Sequence, residues 1–297
     1  MGSKQAGFEA CNKLINDSIA GVVVAIICPG DASDSRTEMD AFSSIARINN
    51  IPLHIVKKST ETINLIKSLK PTIVLVHGWY QIIPVREFQG VKFLGFHYSL
   101  LPKYRGNAPL VWQIINGETT LGVSFFQLTE GMDEGDLVDQ REFYLTEHET
   151  IADALRKANK LVQEMLTKFL NDLSIELLQF KKQALLPPSY CGIRQPEDGK
   201  ISWIDSAKKI HNFIRAQTKP YPGAFSFLSD GRKLTIWSAT EEKVSYYGVP
   251  GSVAKVALDY VVVCSGEGAI RILEIDVDGL KINSPANILK SIKTRLI

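Results

Sequence analysis

Short apolar runs, rich in β-branched residues, alternate with amphipathic segments through the first part of the chain, and this alternation most constrains the fold. The apolar runs occupy residues 22–27, 53–56, 73–76 and 93–96, whereas residues 38–49 and 59–67 have helical spacing. Strands that are apolar throughout are typical of a parallel sheet covered by helices on both faces. The pattern predicts an α/β, doubly wound, mostly parallel Rossmann-like domain that binds ligands at the carboxyl ends of its strands.

The second half of the chain changes character. Residues 151–173 predict a long amphipathic helix, and proline-rich residues 187–199 predict a linker. Short strands separated by turns then follow at residues 225–227, 234–237, 251–256, 260–264 and 270–275. We therefore expect a first domain over residues 1–186 and a small OB-like β-barrel domain over residues 200–297.

Composition excludes some classes of protein. A length of 297 residues favours two domains, and a net charge of +2 gives no general reason to expect a polyanionic partner. Cys11, Cys28, Cys191 and Cys264 are scattered, which argues against a disulfide framework and against a metal site. The longest apolar run, residues 19–28, is too short to span a bilayer, so we expect a cytoplasmic protein without a membrane partner.

One stretch of polar residues is typical of an active site built on loops. It reads FHYSLLPKYRG at residues 96–106 and EGMDEGD at residues 130–136. His97 ends an apolar run, a loop rich in proline and glycine follows, and Asp133 lies in an acidic turn. The same residues also fit a surface histidine at a strand end and an ordinary acidic turn.

These motifs resemble the folate-dependent formyltransferase family. The similarity continues through RQPEDGKISW at residues 194–203, IHNFIRA at residues 210–216 and KPYPGAF at residues 219–225, which resemble the C-terminal domain of methionyl-tRNA and sugar-nucleotide formyltransferases. The resemblance covers nearly the whole chain. It implies transfer of a formyl group from 10-formyltetrahydrofolate to an amine, with no metal involved.

The resemblance assigns the catalytic roles to His97 and Asp133, whose separation matches that of the family. Formyl transfer passes through a tetrahedral oxyanion and releases a proton from the amine. A histidine titrates near neutrality and can serve both needs, while a carboxylate orients the ring and favours its protonated form. We expect the strand at residues 122–127 to return the chain to the edge where His97 lies.

Gly95 departs from the family pattern. The family places an asparagine two residues before the histidine, where its amide polarises the formyl carbonyl. Loss of one such donor typically costs about 10²–10³ in rate. Asn107 and His77 are the two candidates to replace the amide. Alternatively, Asn107 is an ordinary loop residue and His77 an ordinary residue at a strand end.

The sequence VHGWYQIIP at residues 76–84 matches the family's folate-binding loop by position. The resemblance implies that backbone groups of this loop bind the pterin and that the Asp133 turn forms the other wall. The predicted cofactor contacts are His77, Gly78, Trp79, Tyr80, Ile82 and Asp133. The alternative is an aromatic-rich turn that covers the sheet edge.

The N-terminal residues also depart from the family pattern. Residues 2–7 resemble the glycine loop that follows the family's first strand, and residues 8–16 resemble the helix after it. The first strand itself is not seen before them, although it lies near the centre of the sheet in this fold.

The identity of the acceptor is a separate question. In methionyl-tRNA formyltransferases a basic loop engages the acceptor stem, whereas residues 29–37 hold two aspartates and one arginine. We therefore expect a small-molecule amine, a nucleotide-linked amino sugar, docked near Lys103, Tyr104 and Arg105. Arg105 either pairs with a diphosphate or holds its loop. Charged initiator tRNA is the alternative acceptor, and a catalytically impaired binding protein is the alternative function.

Overall fold

The computed structural model of the chain describes residues 1–18, 21–30, 34, 37–172 and 178–297, which form two compact units. The N-terminal unit comprises Met1–Arg105, Gly122–Phe143 and Lys157–Tyr190, and the C-terminal unit comprises Gly106–Leu121, Tyr144–Arg156 and Cys191–Ile297. These boundaries differ from the predicted ones, because residues 106–121 and 144–156 belong to the C-terminal unit.

The helices of the described residues are α1 (Lys4–Asp17), α2 (Met39–Ile48), α3 (Ser59–Leu69), α4 (Pro109–Ile115), α5 (Ile151–Asn171) and α6 (Ala207–Gln217). The strands are β1 (Ile26–Pro29), β2 (Leu53–Val56), β3 (Ile73–Val76), β4 (Lys92–His97), β5 (Arg105–Gly106), β6 (Thr120–Gln127), β7 (Leu137–Tyr144), β8 (Tyr190–Cys191), β9 (Ala224–Phe227), β10 (Lys233–Glu241), β11 (Val253–Val256), β12 (Val261–Cys264), β13 (Ala269–Val277) and β14 (Leu280–Ile282). Leu173, the predicted end of α5, lies outside the described residues.

The N-terminal unit contains the predicted Rossmann-like sheet in two parts. β1 pairs with β2 in parallel, and β3 pairs with β4 in parallel. β6 then joins β4 in the antiparallel direction and β7 lies beyond it. The mostly parallel α/β prediction is confirmed, with an antiparallel edge that the apolar runs alone did not indicate.

Helical spacing of apolar residues explains how the helices cover this sheet. Phe42, Ile45 and Ala46 of α2 follow one another at intervals of three and one residues, so they share one helix face, and all three are buried. They pack with Ile26 and Cys28 of β1 in one apolar cluster. β1 is therefore buried along its whole length, as its apolar sequence requires.

Met1 and Gly2 lie between the two parts of the sheet. The Met1 ammonium donates to the Leu75 carbonyl at 2.7 Å, and the Gly2 amide donates to the Ile27 carbonyl at 3.1 Å. A cavity of about 300 Å³ continues between residues 22–27 and 72–75. Residues 22–25, predicted as strand, are not part of the β1 ladder and line this cavity instead.

The C-terminal unit contains the predicted β-barrel. Its strands are ordered β11-β12-β13-β10-β9, with β14 on β13, and all of their pairings are antiparallel. The chain end closes this sheet, because Leu296 donates to the Gly251 carbonyl while Ile297 and Phe227 exchange backbone hydrogen bonds. The two edge strands are thereby covered, which removes exposed strand edges.

Two buried side chains of α6 fix the turn at residues 146–149 within the C-terminal unit. Arg215 donates to the carbonyls of Thr146 and Glu149, and the two ring nitrogens of His211 lie 2.9 Å from the carbonyls of Ala239 and Glu147. Burial lowers the pKa of the Arg215 guanidinium. These contacts explain why residues 144–156 belong to this unit and not to the Rossmann-like one.

Candidate active site

His97 lies at the carboxyl end of β4 between two hydrogen-bond acceptors. Its Nδ1 is 3.5 Å from the Asp133 carboxylate, and its Nε2 is 2.7 Å from the Tyr104 carbonyl. The ring is buried, with 8% of its surface exposed. Because both partners accept hydrogen bonds, the ring can donate to both of them only when both nitrogens carry a proton. The predicted pairing of His97 with Asp133 is therefore present.

The Asp133 turn reaches His97 by a route that differs from the predicted one. β6 runs antiparallel to β4, from Ser124 beside His97 to Gln127 beside Leu94, so the strand leads away from the histidine. The turn at residues 129–136 then folds back, so that the Asp133 carboxylate lies 3.5 Å from His97 Nδ1. This return, and not the direction of β6, brings Asp133 to the imidazole.

Gly135 shows how tightly this turn is built. A Cβ atom at Gly135 would lie 1.6 Å from the Gln127 carbonyl oxygen, so only glycine fits there. Asp133 itself has φ +51°, in the left-handed region that non-glycine residues adopt at a cost in free energy. The carboxylate that faces His97 therefore depends on a turn held by its surroundings.

Leu128 covers the place where the family has its asparagine side chain. A Cβ atom at Gly95 would lie 3.2 Å from the Val76 carbonyl oxygen and 3.4 Å from Leu128 Cδ1. The space beside His97 is thus closed by an apolar side chain, and Gly95 supplies no amide for the formyl oxygen.

His77 does not replace that amide. Side chains alternate along β4, so Phe96 lies on the sheet face opposite to Gly95 and His97. The His77 ring packs against Phe96 with 5.2 Å between ring centroids, and its Nε2 is 3.0 Å from the Tyr98 hydroxyl. The structure therefore places His77 behind the sheet, away from His97.

A hydrogen-bond chain runs from His77 into the helices. The Tyr98 hydroxyl donates to Asn159 Oδ1, and Asn159 Nδ2 donates to a Glu9 carboxylate oxygen at 2.9 Å. This chain connects the end of β3 with α1 and α5. His77 therefore fixes the start of the loop at residues 78–82 through its buried ring.

The loop at residues 78–82, here called the folate loop, combines backbone proximity with exposed apolar side chains. Gly78 has φ +68°, and a Cβ atom there would lie 2.6 Å from the Ser3 carbonyl oxygen. Ile82 is 86% exposed and Tyr80 is 56% exposed. The Lys4 ammonium lies 5.7 Å from the centre of the Tyr80 ring. The exposed side chains of Tyr80 and Ile82 can pack against the face of a flat apolar ligand.

Buried polar atoms without a partner lie in the folate loop and in the residue before it. Trp79 Nε1, Gln81 Oε1 and His77 Nδ1 have no hydrogen-bond partner among the described residues. Buried polar atoms are normally paired, so these atoms offer one donor and two acceptors to a ligand or to water. The sequence reasoning did not single out Gln81, and only its place between Tyr80 and Ile82 pointed to it.

The folate loop and the Asp133 turn are tied together at the surface. The guanidinium of Arg86, which follows the loop, lies 2.7 Å from the carboxylate of Glu130, which opens the turn. Both side chains are more than half exposed, so the ion pair adds little stability. It does bring the two predicted walls of the pterin pocket to the same side of the N-terminal unit.

The predicted acceptor residues are placed in different ways. Lys103 is exposed, Tyr104 offers its carbonyl to His97, and Arg105 is buried. The Arg105 guanidinium contacts the side chains of Gln183, Glu134 and Tyr190 in its own unit. These contacts agree with the alternative in which Arg105 holds its loop. Asn107 is exposed and belongs to the C-terminal unit, and its predicted role stays a prediction.

The structure describes only part of the acidic segment at residues 29–37. Asp31 and Arg36 of the 29–37 segment lie outside the described residues, whereas Asp34 pairs with Lys4 at 3.1 Å. In the part of the chain that is described, no group of histidine, cysteine and carboxylate residues could hold a metal ion. No helix within that part is long and apolar enough to cross a membrane.

Two family models match the chain. The model described as "Formyl transferase" matches residues 2–170, and the model described as "Formyl transferase, C-terminal domain" matches residues 194–293. The methionyl-tRNA formyltransferase of Caldanaerobacter subterraneus subsp. tengcongensis is 32% identical over 289 residues, covering 94% of this chain and 91% of that protein.

Solved structures show the same fold at lower identity. The N-formyltransferase from Helicobacter canadensis, in complex with folinic acid and dTDP-3-aminofucose, has a TM-score of 0.70 at 19% identity and covers 93% of this chain and 97% of its own. HypX from Aquifex aeolicus, in complex with tetrahydrofolic acid, has a TM-score of 0.62 at 20% identity. The match covers 91% of this chain but 47% of HypX, so the chain spans about half of that protein.

Protonation of His77 gives the first testable prediction. Burial, together with the Met1 ammonium, lowers the pKa of His77 from 6.5 to about 4. Between pH 6.5 and pH 4, His77 therefore binds a proton in the unfolded chain but not in the folded chain. The free energy of unfolding falls as the pH drops through this range. Between pH 7 and pH 5 we expect this residue to account for a loss of about 2 kcal/mol in urea unfolding.

His77→Gln removes the titrating group, so its unfolding free energy should fall by about 2 kcal/mol less over the same interval. His148→Gln, at an exposed histidine, is the matched control and should behave like the unsubstituted protein. Equal pH dependence in His77→Gln and the unsubstituted protein would contradict the assignment.

Proposed function

Because this chain belongs to the formyl transferase family, we propose that it transfers a formyl group from 10-formyltetrahydrofolate to the amine of a nucleotide-linked amino sugar. The observation that carries the proposal is His97, buried at a strand end between the Asp133 carboxylate and the Tyr104 carbonyl. The cytoplasm is the proposed location. In support, the four cysteines all lie in the described residues and none forms a disulfide.

His97 and Asp133 have separate roles in the proposed formyl transfer. 10-Formyltetrahydrofolate supplies the formyl group. Asp133 orients the imidazole through Nδ1, and Nε2 takes the proton that the attacking amine loses. In the free protein Nε2 donates a hydrogen bond to the Tyr104 carbonyl. Nε2 must therefore give up this contact and release its proton to solvent before it accepts the proton of the incoming amine. Once protonated, His97 carries the positive charge that stabilises an oxyanion nearby.

The folate loop fits the pterin ring of the co-substrate. Trp79 Nε1 and Gln81 Oε1 hold unused hydrogen-bonding capacity, and Tyr80 and Ile82 expose apolar surface. A pterin has an edge of donors and acceptors and two flat faces, which matches this set. The predicted contacts from Gly78 and Asp133 remain part of the proposal.

Charge supports the small acceptor. The acidic 29–37 segment would repel the phosphate backbone of a tRNA. Lys4, a nearby positive charge, already pairs with Asp34 of this segment. Since Arg105 is engaged within its unit, we assign the nucleotide phosphates to Lys103, which is exposed beside Tyr104. This revises the predicted diphosphate role of Arg105.

Charged initiator tRNA is the second candidate acceptor. The observation that favours it is the 32% identity to a methionyl-tRNA formyltransferase over most of both chains. Incubation with 10-formyltetrahydrofolate and, separately, a panel of nucleotide-linked amino sugars or methionyl-tRNA decides between them. Mass spectrometry detects the added formyl group in either case.

Substitutions at the histidine pair test the catalytic assignment. We expect His97→Ala to reduce kcat about 10²- to 10⁴-fold, because both proton transfer and charge stabilisation are lost. Asp133→Asn should reduce kcat about 10- to 100-fold, because the ring loses its orienting charge. His148→Ala, at a histidine that is largely exposed, is the control with full activity. An unchanged rate in His97→Ala would show that the chemistry lies elsewhere.

Gly95 gives a gain-of-function test. Gly95→Asn combined with Leu128→Ala restores the family's amide and opens the space that Leu128 fills. One oxyanion donor is worth roughly 10²–10³ in rate. We expect part of this, a kcat about 10- to 100-fold above that of Leu128→Ala alone, because the new Cβ atom still lies close to the Val76 carbonyl. If the two variants had the same kcat, the amide's task would already be performed by another group. Complete inactivity of the unsubstituted protein, with activity in the double variant, would favour the impaired homologue.

A further inference from the structure

The segment at residues 181–190, which follows α5, lies against both partners of His97. Lys181 and Leu137 exchange backbone hydrogen bonds at 2.7 and 2.8 Å, directly beyond the Asp133 turn. At the other end, Ser189 Oγ accepts from the Tyr104 amide at 2.8 Å. One stretch of chain therefore braces the carbonyl and the carboxylate between which the imidazole is held.

Gln183 is the residue of this segment that grips the Asp133 turn. Its Nε2 donates to the Asp133 carbonyl at 2.7 Å and to the Gly135 carbonyl at 2.9 Å. Its Oε1 accepts from Arg105 Nη2 at 2.7 Å. Both donors of the side-chain amide and its oxygen are thus engaged in one part-buried network, which leaves a single orientation for the amide group.

Arg105 completes this network. Its Nη1 lies 3.2 Å from the Tyr190 hydroxyl and 3.4 Å from the Glu134 carboxylate. Arg105 therefore contacts the same turn directly, through Glu134, as well as through Gln183. Arg105 is 9% exposed, and its guanidinium contacts these groups of the turn and of residues 181–190.

The turn needs such a grip because its backbone is strained. Asp133 at φ +51° persists only where the surroundings impose that conformation. The two carbonyls that Gln183 binds flank Glu134, so the amide fixes the backbone on both sides of the turn. Without it the turn can relax, and the Asp133 carboxylate then moves away from Nδ1 of His97.

We propose that Gln183, held by Arg105, is a positioning residue for formyl transfer, which keeps the Asp133 carboxylate against His97. The proposal rests on the proposed function only in that the His97–Asp133 pair performs the chemistry. A displacement of about 1 Å in a catalytic group can cost on the order of 10²-fold in rate. Gln183 acts through the turn, because its hydrogen bonds go to Arg105 and to the carbonyls of Asp133 and Gly135.

Gln183→Met tests the proposal, because it keeps the side-chain length and removes both donors. We expect kcat to fall about 10- to 100-fold while KM for 10-formyltetrahydrofolate changes less than about threefold. Gln179→Met, the same change at an exposed position just before this segment, should leave both constants unchanged. Unchanged kcat in Gln183→Met would overturn the proposal.

Gln183→Glu separates positioning from stability. The carboxylate keeps the contact with Arg105 but sets a second oxygen against the carbonyls of Asp133 and Gly135. We expect a lower kcat than in Gln183→Met, with a thermal midpoint at least as high. If kcat followed the thermal midpoint across the variants, the role would be structural only and the proposal would fail.

A measurement without substrate keeps this test independent of the proposed function. Backbone amide hydrogen exchange at residues 131–136 should be at least tenfold faster in Gln183→Met than in the unsubstituted protein and in Gln179→Met. If the unsubstituted protein formylated no acceptor while exchange rose as expected, the proposed function would fail and the grip on the turn would stand. Unchanged exchange would overturn the grip itself.

Discussion

The placement of one imidazole between two fixed acceptors is the constraint on which the rest of the site depends. His97 would lose its orientation if either the Asp133 carboxylate or the Tyr104 carbonyl moved. Each acceptor lies in a strained turn, since Asp133 and Tyr104 both have positive φ. The site therefore contains strained backbone, and contacts with residues 181–190 offset the free-energy cost of that strain.

The sequence predicted the strand that ends at His97 and the acidic turn that faces it, because apolar runs and turn residues follow local rules. It did not predict which sheet face each side chain occupies. His77 lies behind the sheet because its position in the register with β4 puts it beside Phe96, and such a register is set by pairing between distant residues. The antiparallel direction of β6 was missed for the same reason.

The engagement of Arg105 and Gln183 shows a second limit of sequence reasoning. Arg105 stands in a motif and looked available to a phosphate, yet it is buried against the Asp133 turn. Gln183 stands in no motif, and its contacts lie 48 to 78 residues away in sequence. Likewise, the barrel was predicted from its short strands, whereas its closure by residues 294–297 depends on long-range backbone bonds.

A double-mutant cycle on the His97–Asp133 pair tests the central claim most directly. The kcat for formyl transfer is measured in the unsubstituted protein, His97→Ala, Asp133→Asn and the combined variant. Groups that act as one unit have strongly non-additive effects. The account predicts that Asp133→Asn costs nothing further once His97 is removed. Equal losses from Asp133→Asn with and without His97 would contradict it, because the carboxylate would then act independently of the imidazole.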